Sequence, residues 1–133
     1  LRAFGAKVGK AVNIYSSVSI FAPWNLEMGD YSCIGDNVQV YNLGHLKIGA
    51  NSTISQNSHL CGGTHNYKDV SMRLIKSRIL IGNNVWVCAD SFIGPGVKVA
   101  DLSIVAARSV VIKDVGENHI VGGNPAKFIK MRD

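Results

Sequence analysis

The stretch Ile81-Gly82-Asn83-Asn84-Val85-Trp86-Val87-Cys88-Ala89-Asp90-Ser91-Phe92-Ile93-Gly94-Pro95-Gly96-Val97-Lys98-Val99 decides the fold. Aliphatic residues fall at Ile81, Val87, Ile93 and Val99, and the series continues through Val105 and Val111 without a slip. A small or β-branched residue follows each of them four places on: Val85, Ser91, Val97, Ser103, Ser109 and Val115. Upstream, the aliphatic positions run Val8, Ile14, Ile20 and Leu26, then Met28, Ile34, Val40 and Leu46, then Ile48, Ile54 and Leu60, with Val12, Val18, Ser32, Val38, Ser52, Ser58 and Thr64 four places on. The steps from Leu26 to Met28 and from Leu46 to Ile48 add two residues, so Val8-Gly9, Met28-Gly29 and Ile48-Gly49 recur at twenty-residue intervals. Three hexads thus make one coil.

Six is a multiple of the strand period of two, so a hexad can be a short strand plus a corner, with its aliphatic residue always inward. An amphipathic helix would need three- and four-residue steps, and hairpins would need Asn-Gly or Asp-Gly turns; neither pattern runs here. Glycines follow the aliphatic residue at Gly9, Gly29, Gly35, Gly49, Gly82 and Gly94, where a corner leaves little room for a side chain. Coils stacked about 4.8 Å apart would pair as parallel sheets around a column of Val and Ile. The expected fold is therefore all-β: a parallel β-helix filling one domain, residues 1–133, with coils over 8–117 and a tail over 118–133. In the tail, Asn124-Pro125 reads as an N-cap and first-turn proline, which predicts a short C-terminal helix over Pro125–Met131.

The repeat breaks once. Between Leu60 and Ile81 the spacing is not a multiple of six, and the intervening polar stretch Cys61-Gly62-Gly63-Thr64-His65-Asn66-Tyr67-Lys68-Asp69 predicts one loop over 62–79 protruding from the wall.

Composition narrows the partners. A net charge of +5 suits an anionic ligand. Lys113, Lys127, Lys130 and Arg132 gather near the C-terminus without the aromatic interleaving of a nucleic-acid module, which ranks a small phosphorylated ligand above a polymer. No apolar run reaches the roughly 18 residues of a membrane span, and the start Leu1-Arg2-Ala3-Phe4-Gly5 lacks a signal-peptide layout, so the chain is expected to be cytoplasmic without membrane insertion. The first residue is not Met, which is consistent with a trimmed start. Cys33, Cys61 and Cys88 form no CxxC pair and read as reduced thiols.

With Thr64-His65 in the loop, Asn83-Asn84-Val85-Trp86 after it and Gly122-Gly123-Asn124-Pro125-Ala126-Lys127 near the end, nearly the whole chain resembles the hexapeptide-repeat sugar O-acetyltransferases. The likeness is nearest to the colanic-acid-biosynthesis type, through Tyr41-Asn42-Leu43 and Leu60-Cys61-Gly62-Gly63-Thr64-His65-Asn66-Tyr67, and more distant to the maltose and galactoside enzymes. The resemblance implies a left-handed β-helix, whereas the general crossover rule alone would favour the right-handed form. It also implies acetyl-CoA as co-substrate, a saccharide or other small-molecule hydroxyl acceptor, and a homotrimer with sites between subunits.

Residue by residue, the resemblance makes His65 a general base for the acceptor hydroxyl, a task that suits a side chain titrating near neutrality. It makes the backbone N–H of Ala89 the oxyanion donor. Coenzyme A would touch the backbone near Ala107 and Ile112 and the side chain of Lys113, with Lys127 and Lys130 near its phosphates. Relatives often carry arginine at the last two positions, so lysine keeps the charge and gives up bidentate geometry. Trp86 points outward and could line the ligand cleft or pack between subunits. Asn42 matches an acceptor-contacting position, and Gly35 stands where galactoside-type relatives carry an acceptor-binding asparagine. No metal is expected. Two other functions share the fold: a γ-class carbonic-anhydrase-like zinc protein, for which His45 and His65 stand one coil apart with no evident third ligand among His59 and His119, and a non-catalytic scaffold.

Overall fold

A computed structural model describes all 133 residues, Leu1–Asp133. The hexads form a parallel β-solenoid of triangular section, as the six-residue spacing requires. The first wall stacks Lys7–Val8, Leu26–Met28, Leu46–Ile48, Ile79–Ile81 and Lys98–Val99. The second stacks Asn13–Ile14, Cys33–Ile34, Thr53–Ile54, Trp86–Val87, Ile104–Val105 and His119–Gly123. The third stacks Ser19–Ile20, Gln39–Tyr41, His59–Cys61, Phe92–Ile93 and Val110–Val111.

Register follows the repeat. Met28 pairs with Ile48 across a twenty-residue coil, and Ile81 pairs with Val99 across an eighteen-residue one. The two-residue difference falls at the corner from the third wall to the first, where the early coils carry Ala22–Asn25 and Asn42–His45. One buried cluster of 21 residues runs the length of the axis, taking Met28, Ile48, Ile81 and Val99 from the first wall, Ile34, Ile54, Val87 and Val105 from the second, and Val40, Leu60, Ile93 and Val111 from the third. Each such side chain is worth roughly 1.5–3 kcal/mol when removed from water. The small residues four places on turn the corners. Ser32, Ser52, Ser58, Ser91, Ser103 and Ser109 are all buried, and each hydroxyl donates to a corner carbonyl, Ser52 to Gly82 at 2.6 Å for example.

Two corner columns adopt left-handed backbone: Ala11, Tyr31, Asn51, Asn84, Leu102 and Asn118 at the first-to-second corner, and Asn37, Asn57, Asp90 and Arg108 at the second-to-third. Asn and Asp tolerate that region better than other non-glycine residues, which accounts for their frequency there. Asn42 belongs to the same internal scaffold. Its side chain is fully buried, with Oδ1 accepting from the Ala22 N–H at 2.9 Å and Nδ2 donating to the Ala22 carbonyl at 2.7 Å. An acceptor sugar cannot reach an amide so committed, and the expectation that Asn42 contacts it is corrected. Asn42→Ala would orphan both Ala22 groups and is expected to cost about 2 kcal/mol, read as a lowered midpoint in urea unfolding.

The tail departs from expectation. Instead of a helix, Ala126–Met131 forms a strand antiparallel to His119–Gly123, turning through Gly123, at φ +99, and a cis Asn124-Pro125 bond. Six residues are too few to sustain a helix without packing, while the strand edge at His119–Gly123 offered unpaired backbone groups. Arg132 fastens the end, its Nη1 donating to the carbonyls of Asn84 at 2.8 Å and Leu102 at 3.3 Å.

Burial lowers the pKa of His59 below its usual 6.5; the ring stacks edge-on against Phe92 at 5.4 Å. The unfolded chain therefore takes up this proton first as pH falls, so folded stability should drop through and below about pH 6.5. His59→Gln is expected to flatten that part of a melting-temperature profile.

Candidate active site

The break in the repeat is a hairpin at the third-to-first corner. Gly63–His65 pairs antiparallel with Leu74–Lys76, Gly63 facing Lys76 and His65 facing Leu74. Its base is wedged into the solenoid by Gly62, whose N–H donates to Tyr41 and whose carbonyl accepts from Ser77, both at 2.8 Å. The tip is tied by Asn66 N–H to Arg73 carbonyl at 2.8 Å and by Met72 N–H to Asp69 carbonyl at 2.9 Å.

His65 is exposed on this hairpin, and its Nδ1 lies 2.7 Å from the Met72 carbonyl oxygen. A carbonyl can only accept, so Nδ1 is the donor, and in the neutral ring Nε2 is the nitrogen that keeps a lone pair. Met72 has φ +53 and is the only non-glycine left-handed residue outside the two corner columns. That local departure sets the direction of the carbonyl that holds the ring. Nothing in the sequence signals a backbone acceptor, and Met72 was not legible as a site residue.

Ala89 lies at the second-to-third corner. Its carbonyl accepts from Arg108 N–H at 2.9 Å, while its own N–H donates to no group of the chain. Ala107, one coil higher on the same corner, likewise has an uncommitted N–H. Backbone donors of this kind, held by the wall and without a partner in the chain, suit an oxyanion or an amide-bearing ligand. Three residues before Ala89, Trp86 stands half-exposed on the outer face of the second wall, its indole N–H donating to Ser55 Oγ at 2.9 Å. Ser55 is thus a second feature absent from the sequence reading; it fixes the indole plane.

Ile112 and Lys113 are exposed at the far end of the third wall, where Lys113 borders a recess with His119, Ala126 and Phe128. Lys127 follows the turn opposite Gly122 and alternates to the other face from Ala126 and Phe128. Lys130 is farther along that strand, with Nζ 3.9 Å from Asp133. Neither Lys127 nor Lys130 lines the recess that Lys113 borders. Gly35 borders a polar recess two coils below Ala89 on the same corner.

His45 and His65 do not share a ligand site: Nε2 of His45 pairs with Glu27 Oε2 at 3.2 Å, while His65 is carried out on the hairpin. A further groove lies on the first wall, lined among others by Lys47, Leu80, Asn83, Lys98 and Asp101, and includes none of the catalytic, cofactor-binding or acceptor-binding residues expected from sequence. Burial raises the thiol pKa values of Cys33 and Cys88, and no disulfide forms. No helix is long and apolar enough to cross a membrane.

No protein-family model matches the chain. It is 46% identical over 132 residues to WcaF of Escherichia coli K12, provisionally named a colanic acid biosynthesis acetyltransferase, and the match covers 99% of this chain and 72% of WcaF. Among solved structures, the hexapeptide-repeat-containing acetyltransferase VCA0836 of Vibrio cholerae superposes with a TM-score of 0.94 at 26% identity, covering 99% of this chain and 77% of that one. A galactoside acetyltransferase in complex with coenzyme A superposes at 0.85 and 26% identity, covering 95% and 65%. The solenoid, the hairpin that interrupts its repeat and this likeness over 99% of the chain agree: the chain belongs to the hexapeptide-repeat acetyltransferase family that includes WcaF.

Proposed function

We propose that the protein transfers an acetyl group from acetyl-CoA to a hydroxyl of a sugar or exopolysaccharide precursor, with His65 as general base. The 2.7 Å contact from Nδ1 to the Met72 carbonyl carries this reading, because it leaves Nε2 basic and held in one direction. Nε2 takes the proton of the acceptor hydroxyl as its oxygen attacks the thioester carbonyl carbon. The Ala89 N–H receives the negative charge that develops on the carbonyl oxygen. As the carbon–sulfur bond breaks, the imidazolium returns its proton to the departing thiolate, and no acyl-enzyme forms. Trp86, the N–H of Ala107, Ile112, Lys113, Lys127 and Lys130 are assigned to coenzyme A, the lysines to its phosphates.

His65 and Ala89 occupy different corners of one prism, so a site using both is completed by a second copy of the chain. The outer faces support this. The first wall presents Lys7, Glu27, Lys47 and Lys98, whereas the later coils of the second and third present Trp86, Ile104, Phe92 and Val110. A homotrimer would turn these apolar stretches toward neighbours and the charged wall to water. Cytoplasm, which supplies acetyl-CoA and keeps thiols reduced, suits the three unpaired cysteines.

Purified protein should release free thiol from acetyl-CoA only when a hydroxyl acceptor is present. Failure to bind acetyl-CoA in a calorimeter would favour a scaffold instead.

A further inference from the structure

The terminal strand Ala126–Met131 carries Lys127 and Lys130, two of the cations assigned above to the phosphates of coenzyme A, at the outer edge of the second wall's sheet. Its ladder to His119–Gly123 is irregular: Val121 faces Phe128 and Ile120 faces Lys130, so Ile129 bulges out without a partner. Past the bulge only two pairs remain, Ile120 with Lys130 and His119 with Met131. A chain end held by so short a ladder would fray.

Arg132 supplies what the ladder lacks. Its backbone N–H donates to the Asn118 carbonyl at 2.7 Å, and its side chain runs back along the first-to-second corner, where Nη1 donates to Leu102 at 3.3 Å and to Asn84 at 2.8 Å. Asn118, Leu102 and Asn84 are successive left-handed residues of one corner column. One residue thus takes the carbonyls of three stacked turns, across two coil steps of about 4.8 Å each. The Leu102 and Asn84 carbonyls accept from no other group of the chain. No carboxylate competes for the guanidinium, since the ion pairs of the chain are made by Glu27, Asp90 and Asp133 with other cations. A planar guanidinium committed to fixed backbone oxygens is a clamp of defined direction.

We propose that Arg132 is a positioning residue for the donor: by clamping the end of the last strand to the corner, it holds Lys130, and through the strand Lys127, in place for the phosphates of acetyl-CoA. The inference rests on the acetyltransferase assignment above. Without the clamp, acetyl-CoA would have to order the strand end as it binds, which weakens affinity by up to about tenfold for each side chain immobilised. Arg132 lies outside the buried cluster, so its removal leaves the core intact.

The test compares thiol release from acetyl-CoA and from S-acetylpantetheine at one fixed hydroxyl acceptor, because the second donor has the same thioester and no phosphate. Arg132→Ala is expected to raise the KM for acetyl-CoA by about tenfold with kcat unchanged. For S-acetylpantetheine, kcat/KM should stay at the wild-type value. Lys130→Ala combined with Arg132→Ala should raise the KM for acetyl-CoA by less than the product of the two single effects, since the clamp acts through the strand that carries Lys130. An unaltered KM for acetyl-CoA in Arg132→Ala would overturn the inference. Equal losses with both donors, the mark of a purely structural role, would also overturn it, as would single effects that multiply fully in the double variant, the mark of a direct contact by Arg132. Each of these leaves acetyl transfer standing. Wild-type protein that releases thiol from neither donor with any hydroxyl acceptor would overturn the acetyltransferase assignment and this inference together.

Discussion

His65→Ala is expected to lower turnover by about 10²–10⁴-fold, the range set by loss of a positioned general base, with the melting temperature nearly unchanged. The side chain is exposed on the hairpin and contributes one hydrogen bond, to Met72, so the solenoid core loses nothing. His65→Asn separates basicity from positioning. Its Nδ2 can replace Nδ1 as donor to the Met72 carbonyl, yet it has no basic nitrogen. If His65 works as a base, Asn and Ala variants are equally inactive. If the ring only braces the hairpin, Asn restores activity. Steady-state kinetics on both variants, with circular dichroism as a check on folding, decides between these outcomes.

Gly49→Ala is expected to destabilise the fold by about 3 kcal/mol, a fall of roughly 10 °C in melting temperature for a domain of this size. A Cβ at Gly49 would stand 2.5 Å from both the carbon and the oxygen of the Gly82 carbonyl in the next coil. Those are backbone atoms of a hydrogen-bonded wall and cannot rotate aside. Gly29 faces the same obstruction, 2.5 Å from Ala50 N. Gly96→Ala is the control: its Cβ would meet nothing within 4 Å, and only the φ of +79 opposes it, at about 1–2 kcal/mol. Parallel thermal melts would show the larger loss at Gly49.

The solenoid was legible because its repeat is a direct record of geometry. Ile81, Val87, Ile93 and Val99 recur every six residues because each must point to the same axis, and Gly49 and Gly82 recur because one corner brings successive coils nearly into contact. The hairpin showed itself as the place where that rule lapses. Handedness left no mark in the spacing, and its assignment rests on family likeness. The C-terminal helix failed because a Pro-led segment of seven residues pairs as readily with a free strand edge as it coils, and the edge at His119–Gly123 decided the matter. Asn42 was misassigned because sequence cannot tell an amide turned inward from one turned outward. At the candidate site, His65 can be proposed from sequence while its hydrogen-bond partner cannot, since the Met72 carbonyl is a backbone atom that any residue could supply. The same limit applies to Ala89, which is proposed for an N–H that the corner leaves without a partner in the chain.

The proposed reaction is direct transfer from acetyl-CoA to an acceptor hydroxyl without acylation of the protein. Intact-mass spectrometry of protein and acceptor, after incubation with acetyl-CoA alone and then with a sugar, separates it from a two-step route. The expected result is an unmodified protein in both incubations and an acceptor heavier by one acetyl group only in the second. An acetylated protein that passes its acetyl to the sugar, or a sugar left unmodified by every trial, would contradict it.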